Sequence, residues 1–405
     1  MKTAVVLFNL GGPDSLQAVK PFLFNLFNDP AIIGAPGPIR YLLAKLISSR
    51  REKKAQAIYA QMGGRSPILP QTQAQADALQ TALNAGGTGE WRCFIAMRYW
   101  NPRAAEALRE VITWGPDRVV LLPLYPQFST TTTASSLREW RALAAAAGLS
   151  AKSTAVCCYH SSPGWIEAVA TLTRAALAGA GENPMVLFSA HGLPQKVIDA
   201  GDPYQWQVEQ TVGAVLRRLA GLRFDSQVCY QSRVGPLKWI GPSTDECIKA
   251  AAQTGRHIVV VPVAFVSEHS ETLVELDIEY RHLAESAGAK SYARVPAVQV
   301  QSHFVAELAR LAQRAVDEDG STINGFDQPP QTIPVRGLCP QSATECPCRR
   351  AWREQQPDAV IPDQPRRKRR ENETGGAYGG ADPGGPLDSA GGESGGDSGG
   401  GGSSD

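Results

Sequence analysis

Short apolar runs rich in β-branched residues alternate along this chain with longer stretches whose apolar positions recur every three or four residues. TAVVLFNL (3–10), RVVLLPLY (118–125), MVLFSA (185–190) and HIVVVPVAF (257–265) are almost continuously apolar. Strands that read this way are buried on both faces, as in parallel sheets covered by helices. Between them, AEALREVITW (105–114) and QWQVEQTVGAVLRRLAGL (205–222) carry a helical period. The pattern predicts an α/β fold.

The two halves of the chain match each other in order. TAVVLFNLGGP (3–13) pairs with NPMVLFSAHGLP (183–194), and FIAMRYWNP (94–102) with VCYQSRVGP (228–236). DRVVLLPLYPQFSTTTTASSLREW (117–140) pairs with RHIVVVPVAFVSEHSETLVELDIEY (256–280). This predicts two similar domains, 1–150 and 151–325, with Arg98 and Arg233 in matching places. In open α/β sheets ligands bind beyond the carboxyl ends of the strands. The positions to watch are therefore Asn9 to Pro13, Arg98, Tyr99, Ser129 to Ser136, His191, Arg233, and Glu268 to Glu275. After the second domain a Pro-rich connector leads to a cysteine-bearing extension, 326–352. The segment 353–405, with RRKRR followed by a glycine-rich run, is expected to be disordered.

Composition narrows the class. The 405 residues are 43% hydrophobic, enough for two ordinary cores, and the net charge of +1 gives no reason to expect nucleic acid as a partner. The apolar start of MKTAVVLFNLGGP is too short for a signal peptide and runs into a turn, so it reads as a first strand. No stretch reaches the roughly 18–20 apolar residues of a membrane span. A cytoplasmic protein is expected, and its eight cysteines are not expected to form a disulfide framework.

One stretch poses a chemical question. In FVSEHSETLVELDIEY (265–280), Glu268, Glu271, Glu275 and Glu279 are spaced to share one face of a helix, beside His269. Like charges at that spacing repel by about 0.2–0.5 kcal/mol per pair. The plain reading is a solvated helix face, with Leu273, Leu276 and Tyr280 as its buried stripe. A row that follows a buried strand is also tolerated if it meets a cation or passes protons. His191, at the end of its own strand in SAHGLP, is expected on the same rim. Trp239, between two Gly-Pro turns, offers a face on which a flat ligand stacks. Arg98 and Arg233 suit either a bound carboxylate or the pinning of a loop.

NLGGP, GGRSPI (63–68), YPQFS (125–129), SAHGLP, YQSRVGPLKWIGPSTDE (230–246) and FVSEHSETLVELDIEY together resemble the ferrochelatases, in order, over nearly all of 1–325. The resemblance implies two Rossmann-like domains with four-stranded parallel sheets and a porphyrin cleft between them. It implies insertion of Fe²⁺ into protoporphyrin IX to give haem, with release of two protons. His191 matches the family's active-site histidine, as proton acceptor or as metal ligand. Glu271 and Glu275 match its acidic path for protons or metal, with Glu271 also a metal contact, and His269 and Glu268 match supporting residues. Leu10, Arg98, Tyr99 and Trp239 match positions beside the macrocycle.

The apolar segment at about 21–51, which runs into SSRREKK (48–54), matches the family's lip. It is expected to rest on a membrane, with Arg50, Arg51, Lys53 and Lys54 near head groups. Cys339, Cys346 and Cys348 crowd into ten residues, which suits an iron–sulfur group or Zn²⁺ once a fourth thiol joins. By resemblance the group is a [2Fe–2S] cluster, with Cys158 or its neighbour Cys157 as the remote ligand and a homodimer formed through the extension. Cys93, Cys229 and Cys247 read as small core residues. Two other readings stand beside ferrochelatase: a chelatase for coproporphyrin or another tetrapyrrole, and a non-catalytic haem or metal carrier.

Overall fold

The computed structural model describes residues 1–87, 89–233, 236–317, 322–323 and 339–349. The Pro-rich connector and the tail from 353 onward lie outside the described residues. Eight strands build two parallel sheets of four. The first holds β1 (Lys2–Asn9), β2 (Glu90–Met97), β3 (Arg118–Pro123) and β4 (Lys152–Val156) in the order β2-β1-β3-β4. The second holds β5 (Met185–His191), β6 (Asp225–Gln231), β7 (His257–Pro262) and β8 (Ser291–Arg294) in the order β6-β5-β7-β8. A two-residue strand, β9 (Thr322–Ile323), extends the first sheet beside β4. The helices are α1 (Val19–Phe27), α2 (Gly37–Ala60), α3 (Ile68–Ala85), α4 (Ala104–Trp114), α5 (Thr133–Ala146) and α6 (Pro163–Leu177). They continue with α7 (Gln195–Asp199), α8 (Tyr204–Arg218), α9 (Thr244–Gln253), a π-helix (Glu271–Glu279), α10 (Tyr280–Ser286) and α11 (Ser302–Asp317).

Pleating sorts the apolar strand residues into two sets. Val5, Leu7, Val120 and Leu122 of the first sheet share a core with Val186, Phe188, Val259 and Val261 of the second, through the buried faces of α3, α6, α8 and α11. Ala4, Val6 and Phe8 face outward against α4 and α5. Leu187, Ile258 and Val260 face outward against α9 and α10. Strands clad on both sides explain the unbroken apolar runs. They also change the domain picture: each sheet has an outer core of its own, and one further core is shared between the two sheets. β4 belongs to the first sheet, so the change of sheet falls after Val156 rather than at 150. The late helix α11 packs on α3 and α6.

The repeat is real, and its register is finer than the letter match. Met97 N–H donates to Pro102 O at 2.7 Å, and Tyr230 N–H to Pro242 O at 2.9 Å. Leu124 N–H donates to Phe8 O and Val263 N–H to Ser189 O. Asn9 pairs with Met97 and Ala190 with Tyr230. Hence Leu10 stands where His191 stands in the other half, Arg98 opposite Gln231, and Tyr99 opposite Ser232. The pairing of Arg98 with Arg233 fails because this register sets Arg233 opposite Trp100; the loop after β6 is also longer than its counterpart, so Pro102 answers to Pro242 and not to Pro236.

Candidate active site

His191 is the last residue of β5, at the carboxyl edge of the second sheet. Its Nδ1 lies 2.8 Å from Glu271 Oε2, with the imidazole 38% and the carboxylate side chain 24% exposed. Ser232 follows β6 directly and takes a left-handed backbone, φ 60°, an uncommon conformation for a residue with a Cβ. Its hydroxyl lies 2.5 Å from Glu275 Oε2 and 3.2 Å from Glu271 Oε2, and its N–H donates to Glu275 Oε1 at 2.8 Å. Gln231 Nε2 and the Tyr280 hydroxyl complete the shell of Glu275, at 3.3 and 3.1 Å. The result is one hydrogen-bonded chain: His191, Glu271, Ser232, Glu275.

Burial works against charge on His191, but the Glu271 carboxylate, by charge and by hydrogen bond, outweighs it with help from Glu275. The imidazole is raised above its ordinary 6.5. Burial likewise opposes the Glu271 charge, yet His191, His269 and the Ser232 hydroxyl bring its carboxyl down to about 2. Burial and the neighbouring Glu271 charge raise Glu275, against the hydrogen bonds from Ser232. Two carboxylates linked by one hydroxyl are thus driven apart: Glu271 stays ionised, and Glu275 is the readier to hold a proton.

The ladder is built differently from the helix that its spacing suggests. Residues 271–279 form a π-helix, closed by Tyr280 N–H donating to Glu275 O five residues back. The wider turn keeps Glu271 and Glu275 on one face, turns Thr272, Val274 and Leu276 inward, and leaves Leu273 only half-buried. Glu279 is exposed. Glu268 leaves the ladder: its carboxylate meets Arg294 NH1 at 2.9 and 3.1 Å and accepts from Ala297 N–H at 3.0 Å. His269 is buried behind Glu271, its ring 4.5 Å from that of Phe265 and its Nδ1 3.4 Å from Thr272 Oγ1. Burial lowers it, which favours the neutral ring.

The expected macrocycle contacts divide. Trp239 is half-buried, and its ring comes within 3.6 Å of the place a side chain on Gly192 would occupy, next to His191. Leu10 is half-buried in an apolar cluster with Val19, Phe22 and Leu23 of α1 and Tyr59 of α2. Arg98 and Tyr99 are engaged by other side chains. Arg98 meets Asp29 at 2.8 Å, Glu139 at 3.0 Å and Ser135 at 2.9 Å. Tyr99 is 1% exposed and donates to Asp29 at 2.8 Å. The charged cluster ties the segment after α1 to the first sheet, the arrangement expected of an arginine that pins a loop.

A second constellation lies beside α8. Cys157, Cys158, Cys339, Cys346 and Cys348 are all buried and share an apolar pocket with Phe128 and Ala343. Cys157 hydrogen-bonds with Cys158, Cys346 and Cys348, and Cys346 also with Cys339. Those bonds hold the Cys346 thiol well below its ordinary value. The Gln207 amide reaches Cys339 Sγ at 3.2 Å and Cys158 Sγ at 3.6 Å. Among the described residues no three His, Cys, Asp or Glu groups are spaced around one metal ion; the thiols touch one another instead. Helix α8 serves both places, because its first residue, Tyr204, hydrogen-bonds the backbone of His191. Cys229 and Cys247 are core residues of the second sheet's outer face, as expected.

The profile of the family described as Ferrochelatase matches residues 2–316. The chain belongs to the ferrochelatase family. A ferrochelatase from Phenylobacterium zucineum is 53% identical over 352 residues, 86% of this chain and 98% of that one. One from Caulobacter vibrioides is 53% identical over 351 residues, 86% of this chain and 98% of the other. One from Pelagibacter ubique is 47% identical over 349 residues, 86% of this chain and 99% of its own length. Among solved structures, SirB from Bacillus subtilis with Fe³⁺ superposes with a TM-score of 0.48 at 12% identity, over 78% of this chain and 96% of that one, a likeness too slight to carry inference. As a ferrochelatase the chain is a metallochelatase of the lyase class, with iron as its substrate and a place in porphyrin and haem biosynthesis.

Two residues beside the acidic pair are passed over in the sequence reading, and the hydrogen bonds bring them out. Ser232 sits inside a motif already singled out, but a loop serine carries no signal until its neighbours are known. Tyr59, on α2, is buried and hydrogen-bonds Ser270 beside Glu271. Helix α2 therefore reaches the residue next to Glu271. No helix among the described residues is long and apolar enough to cross a membrane.

Proposed function

We propose that this ferrochelatase inserts Fe²⁺ into protoporphyrin IX, with His191 as the group that first meets the pyrrole protons. The observation that carries the reading is the chain His191, Glu271, Ser232, Glu275 at the carboxyl edge of the second sheet. Metallation exchanges two N–H protons for one dication, so the site needs an acceptor and an exit for protons. Glu271 fixes the imidazole by accepting from Nδ1–H, which leaves the Nε2 lone pair as acceptor. The bridging hydroxyl links that acceptor to Glu275, where the pKa order favours the proton. Trp239 offers a flat face close to His191. The test is an anaerobic assay with Fe²⁺ and protoporphyrin IX, read from the haem spectrum. Haem formed by the native chain and lost in His191→Ala supports the reading. Porphyrin bound but never metallated sinks it and favours a carrier, and turnover with coproporphyrin alone would name the other tetrapyrrole.

The reading extends to the lip. Ile39, Tyr41, Leu42 and Leu46 on α2 are exposed, Leu42 by 66%, and Arg50, Arg51, Lys53 and Lys54 follow on the same helix. Exposed large apolar groups beside basic ones suit a surface that rests on anionic lipid.

The thiol pocket fits a [2Fe–2S] group. Its donor set is all sulfur, it is shielded from water, and an amide is aimed at two of the sulfurs. Cys158, Cys339, Cys346 and Cys348 would hold the group; Cys157, bonded to Cys346 and Cys348, is the alternative fourth ligand. When bound, such a cluster supplies one-electron redox chemistry and ties the extension to the folded body. A brown protein bleached by dithionite supports this, and a colourless, zinc-loaded protein overturns it.

A further inference from the structure

Gln207 is fully buried on α8, and both ends of its carboxamide are engaged. Its Oε1 accepts from Phe128 N–H at 2.7 Å. That bond fixes which end is which, since only an oxygen can accept from a backbone N–H. The NH₂ must then face the other way, where it lies 3.2 Å from Cys339 Sγ and 3.6 Å from Cys158 Sγ. The helix adds rigidity: Thr211 Oγ1 donates to Gln207 O at 3.0 Å and to His160 O at 2.7 Å, and Gln127 donates to Thr211 Oγ1 at 3.0 Å. A buried glutamine with its acceptor end locked has its donor end committed to sulfur.

We propose that Gln207 is a fixed hydrogen-bond donor to the sulfurs of Cys158 and Cys339, and that it sets the reduction potential of the iron–sulfur group held there. The inference rests on the [2Fe–2S] reading of the thiol pocket. Reduction adds negative charge to the cluster and its sulfurs, and an N–H dipole aimed at sulfur stabilises the reduced form more than the oxidised one. Taking the donor away therefore makes the cluster harder to reduce. Gln207 is a positioning and tuning residue, with no contact to the porphyrin site.

The full-length chain is purified without oxygen as native protein, Gln207→Glu and Gln207→Leu. Each is assayed for iron and acid-labile sulfide, then titrated potentiometrically with the visible bands as readout. Gln207→Glu keeps an oxygen for Phe128 N–H and replaces the donor with an acceptor. Gln207→Leu removes both ends at similar volume. The expected result is an intact cluster in both variants with a midpoint more negative than native, and the larger shift in Gln207→Glu. Unchanged midpoints with intact clusters overturn the proposal. Loss of the cluster from both variants also overturns it, because the amide would then hold the group rather than tune it. Native protein that carries zinc or no chromophore defeats the underlying cluster reading instead, and that is seen before any variant is made.

Discussion

His191 Nδ1 and Glu271 Oε2 lie 2.8 Å apart, and the pair sets both the tautomer and the charge of the imidazole. The carboxylate raises His191 above 6.5, while proton acceptance needs the neutral ring. Activity is therefore expected to fall as pH drops through the raised value, with the acidic limb of kcat/KM above 6.5. In Glu271→Gln the amide oxygen still receives Nδ1–H, but the charge is gone. The limb should move to lower pH while the rate at its plateau falls. A limb that stays in place would separate it from His191.

The same pair has a stability signature. Glu271 is depressed from 4.5 to about 2, so its contribution is present above 4.5 and is lost as pH falls through the folded value. His191 is raised from 6.5, so its contribution is present below 6.5 and is lost as pH rises through its folded value. Between 4.5 and 6.5 both are in force. Thermal melts of the native chain and Glu271→Gln should differ most in that window and converge on either side. A difference independent of pH would mean that the substitution acts through packing.

Ser232 joins two carboxylates with one hydroxyl from a strained backbone. Ser232→Ala keeps the strain and removes the bridge. Ser232→Gly removes both. A hydrogen bond to a charged group is worth about 1.5–3 kcal/mol, equivalent to roughly tenfold to a hundredfold in rate if it is felt fully in the transition state. Both variants should lose kcat within that range, and the glycine variant should melt higher than the alanine one, because glycine takes a positive φ without cost. Equal kcat in native and Ser232→Ala would remove the hydroxyl from the proton path.

How far the sequence carries the fold depends on periodicity. Strands buried on both faces announce themselves, so the sheets and their order in the repeat are readable from TAVVLFNL and its counterparts. What periodicity does not hold is register. Backbone pairing moves the counterpart of Arg98 two residues, from Arg233 to Gln231, and that of Leu10 one residue, to His191, and only that pairing reveals it. The difference matters: where the second half sets His191, Gln231 and Ser232 around the acidic pair, the first half sets Leu10 in an apolar cluster and Arg98 and Tyr99 on Asp29. The acidic ladder has a similar history. Its spacing is right for one helical face, but Glu268 is bound to Arg294 and the helix is a π-helix. Neither Arg294, more than a turn beyond the motif, nor the extra width of the turn has a sequence signal. The cysteine pocket was legible because thiols are rare and crowded; Gln207 was not, because a glutamine on a helix looks like surface until the fold buries it.

Gln75 shows how the first half holds the site in the second. It is fully buried on α3; its amide donates to Val266 O at 2.9 Å and Gln299 O at 3.1 Å, and its oxygen accepts from Ser267 at 3.2 Å. Gln71, one turn earlier, accepts from Glu268 N–H at 2.6 Å. The loop that leads into Glu271 is thus pinned from across the molecule. Gln75→Leu leaves Val266 O and the Ser267 hydroxyl, both buried, and the half-buried Gln299 O without that partner, at about 1–3 kcal/mol for each buried one left unsatisfied. A drop in denaturant midpoint is expected, with a fall in kcat larger than any rise in KM, since the loop bears the acid–base groups rather than the lip. Lost stability with native kcat would show that the loop keeps its shape unaided.

Asp29 makes the corresponding test for the lip. Its carboxylate receives Arg98, the Tyr99 hydroxyl, Ser135 at 2.7 Å and Ala31 N–H at 2.8 Å. Burial opposes its charge, but these donors outweigh it and keep the carboxyl below its ordinary 3.8. Removing one partner of a buried ion pair costs about 3–5 kcal/mol, because the other charge is stranded. Asp29→Ala strands Arg98 in this way, although Glu139 remains beside it and softens the loss. The freed segment is the turn between α1 and α2, so the expected outcome is a lower melting temperature together with weaker porphyrin binding and weaker sedimentation with anionic vesicles. A double substitution on the outer face, Leu42→Glu with Leu46→Glu, should weaken sedimentation alone and leave the melting temperature and kcat in detergent near native. If the outer-face variant sediments as well as the native chain, the lip does not rest on lipid, and Asp29 anchors it for the porphyrin only.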